Sequence, residues 1–192
     1  PLLLSTKSNS LDPDIPVGVP GKNTTANALL RFWATGESVT YETEYAVFDK
    51  LYHDLLNADR IQSLVIHENR FTYEQDGLHL ICDLGEYWEK KTEAPIPLGG
   101  IVIRRDLGTD VARQVDGLIR RSVEFAWDNP GESESFIREH AQETKESVVK
   151  SHIGLYVNDF SAHMGDKGKV AIERLQQLIA PEFDNGRSLF AY

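Results

Sequence analysis

The stretch Ser63-Leu-Val-Ile-His-Glu-Asn-Arg-Phe-Thr-Tyr-Glu74 decides how this chain is read. Leu64-Val65-Ile66 is a continuous apolar run, the pattern of a strand buried on both faces of a parallel sheet, and it ends on His67. In open α/β sheets ligands bind beyond the carboxyl ends of strands, so a strand over 62–67 delivers His67 to the expected chemical position. Imidazole, with an unperturbed pKa of about 6.5, suits proton transfer near neutrality. Strand-end histidines are also common as packed or hydrogen-bonded structural residues, and position by itself does not choose between the two roles.

Outward from this strand, apolar alternation predicts short strands over 15–19, 40–48 and 78–83. Helical spacing predicts a helix that starts at Thr24 or Thr25 and runs through Trp33, and others over 49–56 and 84–91. Residues 7–14 form a polar link rich in turn formers. Gly99-Gly100 opens a further predicted strand that Arg104-Arg105 closes. Beyond it the pattern turns helical: an apolar stripe of Val111, Val115, Leu118, Ile119 and Val123 predicts 111–127, Asn129-Pro-Gly131 breaks it, and 133–140, 145–156 and 167–179 follow. Strand–helix alternation to about residue 105, then helices, reads as an α/β unit dominated by parallel pairing with a helical return.

Composition excludes several functions. The formal charge of −10 argues against nucleic acid, whose phosphates demand a basic surface. No apolar run approaches the roughly 18 residues that span a bilayer. Pro1-Leu-Leu-Leu4 is too short for a signal-peptide core and lacks a basic flank. Cys82 is the only cysteine, which rules out an internal disulfide and fits a cytoplasmic setting; within Leu80-Ile81-Cys82 it reads as an inert core residue. Pro1 to Ser5 reads as a strand entered midway, so residues preceding Pro1 are expected.

A second candidate is Pro20-Gly-Lys-Asn-Thr-Thr25, between a strand and a helix. Glycine lets backbone approach a ligand, and free N–H groups at a helix N-terminus bind carboxylate or phosphate. Thr24 and Thr25 add hydroxyls, and Lys22 a positive charge. The same residues also suit plain helix capping, which is the commoner use of such a sequence. The spacing matches neither a phosphate-binding P-loop nor a dinucleotide fingerprint, and no Gly-x-Ser-x-Gly elbow is present. Glu68 is a poor partner to orient His67, because neighbouring strand residues point to opposite faces. His53, His79, His140, His152 and His163 lie far apart in amphipathic segments, so no metal and no cofactor is expected. Tyr87, Trp88 and Trp127 could stack on a ring, although at their mixed helical spacing they read as packing residues.

Residues 64–73, Asp83-Leu-Gly-Glu-Tyr-Trp-Glu89 and Pro97-Leu-Gly-Gly-Ile-Val-Ile-Arg-Arg-Asp-Leu-Gly108 together carry a resemblance. They are similar to the 1,4-dihydroxy-6-naphthoate synthase family of the futalosine route to menaquinone. Pro20 to Thr25 resembles that family's substrate loop, and Tyr156-Val-Asn-Asp-Phe-Ser161 with Gly165 its C-terminal helical region. The resemblance implies a two-lobed α/β fold like that of type II periplasmic binding proteins, with residues 1–10 as a crossover strand from the first lobe, 11–99 as the second lobe and 100–192 as a helical return to the first. It implies a carbon–carbon lyase that splits cyclic dehypoxanthine futalosine to 1,4-dihydroxy-6-naphthoate. The proton-abstracting histidine then falls on His67, and a substrate-binding threonine pair on Thr24 and Thr25. The only partner implied is that small-molecule substrate. The family opens with half of the first lobe, including a substrate-gripping serine loop, and this chain has no counterpart of it. Two rivals share the architecture: the chorismate dehydratase of the same pathway, and a non-catalytic solute-binding protein.

Overall fold

The computed structural model describes residues 1–141, 145–181 and 186–192, without the side chains of His67 and Glu68. The chain divides into two compact units, Pro1–Ile96 and Pro97–Tyr192.

The first unit is built on one mixed sheet. Its strands are β1 (Leu2–Ser5), β2 (Val17–Val19), β3 (Thr43–Tyr45), β4 (Gln62–Val65) and β5 (His79–Asp83), in the spatial order β3-β2-β4-β1-β5. β2 pairs in parallel with β3 and with β4, whereas β1 runs antiparallel to both β4 and β5. The expected parallel dominance therefore holds on one side only, because the first strand enters the sheet between β4 and β5 in the opposite sense. Four strands thus point the same way, and their carboxyl ends share one edge of the sheet. Leu2, at the start of β1, pairs with Val65 and with Asp83 at that edge.

Burial follows the pleat. Leu2, Leu4 and Val65 face one side, where Tyr52 and Leu55 of α2 (Phe48–Leu56) and Leu78 cover them. Leu3 and Leu64 alternate to the other side and are fully buried too. A strand with both faces covered must be apolar at consecutive positions, and this is why Leu2-Leu3-Leu4 and Leu64-Val65 show no alternation. β2→α1→β3 moves one way along the sheet and β3→α2→β4 the other. The right-handedness of such crossovers puts α1 (Thr25–Glu37) and α2 on opposite faces. α1 packs against α3 (Leu84–Thr92), with the Phe32 ring 5.8 Å from that of Tyr87 and 5.5 Å from that of Trp88. Gly18 sits where β2 meets β4. A Cβ there would lie 2.5 Å from Ser63 Oγ and 2.8 Å from Leu51 Cδ2, so this strand position admits no side chain.

The second unit consists of α4 (Gly108–Asp128), α5 (Pro130–His140), α6 (Glu146–Tyr156), a short α7 (Asp159–Ala162) and α8 (Gly165–Ile179). α5 starts three residues earlier than the 133 expected, because Pro130 takes the first helical position, where its missing N–H is harmless. The strand expected after Gly99-Gly100 does not form: residues 101–103 belong to no sheet, and Ile101 and Val102 are 76% and 92% exposed. Extended backbone becomes a strand only when a neighbour takes its hydrogen bonds, and among the described residues none lies beside it.

Candidate active site

The carboxyl ends of β2 and β4 are neighbours in the sheet, with Gly18 opposite Ser63. Their onward connections diverge, β2 leading to β3 on one side and β4 to β5 on the other. Such a divergence opens a crevice at the carboxyl edge, the usual ligand position in an open α/β sheet. The Pro20–Thr25 loop follows β2, and the segment beginning at His67 follows β4. The sheet thus brings both candidate segments to one edge, beside a single strand pair.

Thr24 caps α1: its Oγ accepts from the N–H of Asn27 at 3.2 Å and donates to the carbonyl of Gly21 at 2.9 Å. The hydroxyl's proton and one acceptor direction are therefore already used. Capping is what Thr24 does in this structure, and any ligand contact would fall to its remaining lone pair. Thr25, the first residue of the helix, is half-buried, and among the described residues its hydroxyl has no hydrogen-bond partner. Behind them Asn27 is buried and ties the loop down by donating from Nδ2 to the carbonyl of Lys22 at 2.9 Å. The helix dipole adds partial positive charge at this end, and no acidic residue occupies the first turn to compete for it.

β4 stops at Val65, two residues short of the expected 67. Ile66 remains extended, and His67–Phe71 form a 3-10 turn. Strand alternation does not govern residues in a 3-10 turn, so it does not separate Glu68 from His67 here. The side chain of His67, the expected proton acceptor, lies outside the described residues; its backbone opens the turn.

Two contacts hold this turn, and neither was legible in the sequence. At 2.8 Å Arg70 Nη2 meets Oδ2 of Asp83, the last residue of β5. The other oxygen of Asp83 caps α3, accepting from the N–H groups of Gly85 at 2.9 Å and Glu86 at 3.2 Å. At the far end Thr72, which follows the turn, lies 3.3 Å from the hydroxyl of Tyr52, which donates to Asp76 at 2.5 Å. Burial first and the Asp76 hydrogen bond second push the Tyr52 hydroxyl up to about 12. Asp83 followed three residues later by Glu86 could have signalled the cap, but nothing local pairs Arg70 with a residue 13 positions away.

Cys82 is half-buried rather than a core residue, and burial followed by the Asp83 carboxylate pushes its thiol up to about 11. Little thiolate exists at neutral pH under those conditions. Among the described residues no group of three or more His, Cys, Asp or Glu side chains could hold a metal ion, and no helix is long and apolar enough to cross a membrane. An open pocket in the second unit is lined by Trp127, Gly154 and Val157 to Phe160, and neither Thr24 nor Thr25 lines it.

A family model described as menaquinone biosynthesis matches residues 1–181. The chain is 40% identical over 186 residues to a Streptomyces coelicolor protein named 1,4-dihydroxy-6-naphtoate synthase, covering 95% of this chain and 65% of that one. It is 42% identical over 159 residues to a Thermus thermophilus protein of the same name, covering 83% of this chain and 57% of the relative. The chain thus spans less than two thirds of the length of either relative. Among solved structures, an Archaeoglobus fulgidus protein superposes with a TM-score of 0.81 at 29% identity, over 94% of this chain and 67% of that one. An ABC transporter from Parabacteroides distasonis superposes with a TM-score of 0.63 at 18% identity, over 99% and 68%, a likeness of fold alone.

Proposed function

Because this chain belongs to the menaquinone-biosynthesis family, we propose that it acts as a 1,4-dihydroxy-6-naphthoate synthase, a carbon–carbon lyase working on cyclic dehypoxanthine futalosine. The two-lobed architecture of type II binding proteins, with 11–99 as the second lobe and 100–192 as the return to the first, belongs to the same proposal. The fold-level likeness to the transporter supports it.

The observation that carries the reading is the convergence of the Thr24–Thr25 loop and the His67 turn beyond adjacent parallel strands. The N-terminus of α1 and the free hydroxyl of Thr25 hold a polar, anionic end of the substrate, while Thr24 keeps that helix end in shape. His67 accepts the proton whose removal lets the carbon–carbon bond break. General-base help of this kind contributes about 10²–10⁴-fold in rate.

The test is His67→Ala in the full-length protein, with turnover of cyclic dehypoxanthine futalosine followed by chromatography. The expected result is a folded protein whose kcat has dropped by about 10²–10⁴-fold. A folded variant with near-normal turnover overturns the role of His67. Dehydration of chorismate by the unmodified protein, or retention of the cyclic substrate without product, overturns the synthase reading as a whole.

A further inference from the structure

The 3-10 turn His67–Phe71 is too short to hold its own shape. The i→i+3 hydrogen bonds of a 3-10 turn have poorer geometry than those of an α-helix, so contacts from the surroundings matter to where such a turn sits. A residue that moves a proton must be held within a fraction of an ångström of its working position, and a misplacement of about 1 Å can cost about 10²-fold in rate. What holds this turn therefore bears on the chemistry.

Arg70 lies within the turn, three positions after His67, and reaches Asp83 at the carboxyl end of β5. The Asp83 side chain is only 11% exposed and that of Arg70 28%, so the pair is largely shielded from water. Asp83 is itself immobilised, because its other oxygen is bound by two backbone N–H groups of α3. A fixed carboxylate at one end makes the ion pair a bracket rather than a loose surface contact. The bracket fastens the turn after β4 to β5, across β1.

We propose that Arg70 and Asp83 are positioning residues that hold the turn carrying His67 in register at the carboxyl edge of the sheet. This rests on the reading of His67 as proton acceptor. Neither residue touches substrate in this scheme; both act through the backbone of the turn.

The full-length enzyme with Arg70→Ala, Arg70→Lys, Asp83→Asn and the Arg70→Ala/Asp83→Asn pair tests it. Asparagine keeps an oxygen for the α3 cap and loses the charge that Arg70 needs, so Asp83→Asn leaves the helix start intact. Expected for Arg70→Ala and Asp83→Asn is a kcat lowered by about tenfold or more with KM within about twofold, since placement of the base is disturbed and substrate binding is not. Arg70→Lys recovers most of the loss, and the double variant is no slower than the worse single one, as expected for two residues working through one contact. Amide hydrogen exchange across residues 67–73 accelerates in both single variants, a readout independent of turnover. If Arg70→Ala does not fold, Asp83→Asn decides the same point. Unchanged kcat, a change in KM alone, additive losses, no recovery with lysine, or unchanged exchange in the turn each overturns the proposal. Near-normal turnover by His67→Ala with faster exchange in the turn overturns only the role of His67, so the two failures are distinguishable.

Discussion

Tyr52 shows how a single buried hydroxyl can set the behaviour of a neighbouring turn. It sits in the apolar cluster with Leu2, Leu4, Val65 and Leu78, yet its oxygen meets Asp76 and Thr72. Burial disfavours the phenolate and the hydrogen bond to Asp76 favours the protonated hydroxyl, and together they raise its pKa from 10.0 to about 12. The sign follows directly. The unfolded chain releases this proton near 10 and the folded chain near 12, so the stability conferred by the protonated hydroxyl is whole below pH 10 and declines from there to about pH 12. Denaturant unfolding followed across that range should show the decline, and Tyr52→Phe should flatten it while lowering stability near neutrality, because Asp76 loses its buried donor.

The two threonines at the start of α1 look interchangeable as sequence, and the element separates them. Thr24 makes both of its hydrogen bonds to backbone, so Thr24→Ala should cost about 0.5–2 kcal/mol of stability by thermal or denaturant unfolding, and Thr24→Gly much less. Among the described residues the Thr25 hydroxyl makes none, so Thr25→Ala should leave stability within about 0.5 kcal/mol while raising KM for the substrate. A loss of stability in both variants, with KM unmoved, would reduce the pair to a structural cap. The 15–19, 49–56, 78–83 and 84–91 segments were legible because each carries a period or a cap of its own. The segment 101–103 carries the period of a strand equally well and forms none, since hydrogen bonding to a neighbour is not a local property.

The two units differ in how much they bury. Trp88, Leu3, Leu4, Leu29, Leu30, Leu51, Leu55, Leu64 and Leu84 are fully buried in the first unit. In the second, the buried hydrophobic residues among those described are Ala112, Val148, Ala171 and Leu175. Leu118 and Phe125, on an apolar stripe that would ordinarily face a core, are 59% and 57% exposed, and Phe136 of α5 is 65% exposed. Local opening is cheapest where few apolar contacts resist it. Native-state hydrogen exchange should therefore find the slowest amides in β1 and β4 and markedly faster exchange along α4, α5 and α6. Equal protection in both units would contradict this account.

What the sequence determined by itself is whatever depends on neighbours along the chain. The doubly apolar runs Leu2-Leu3-Leu4 and Leu64-Val65, the helix stripes, the Thr24 cap and a histidine following a buried strand all follow from local sterics and periodicity. Only the tertiary structure decided the reversed sense of β1, the end of β4 at Val65, the failure of 101–103 to join a sheet and the bracket from Arg70 to Asp83. Each of these depends on a partner distant in sequence. A backbone segment chooses between strand and turn by whether its N–H and C=O groups find such a partner, and a charged side chain becomes fixed only when folding brings an opposite charge within reach.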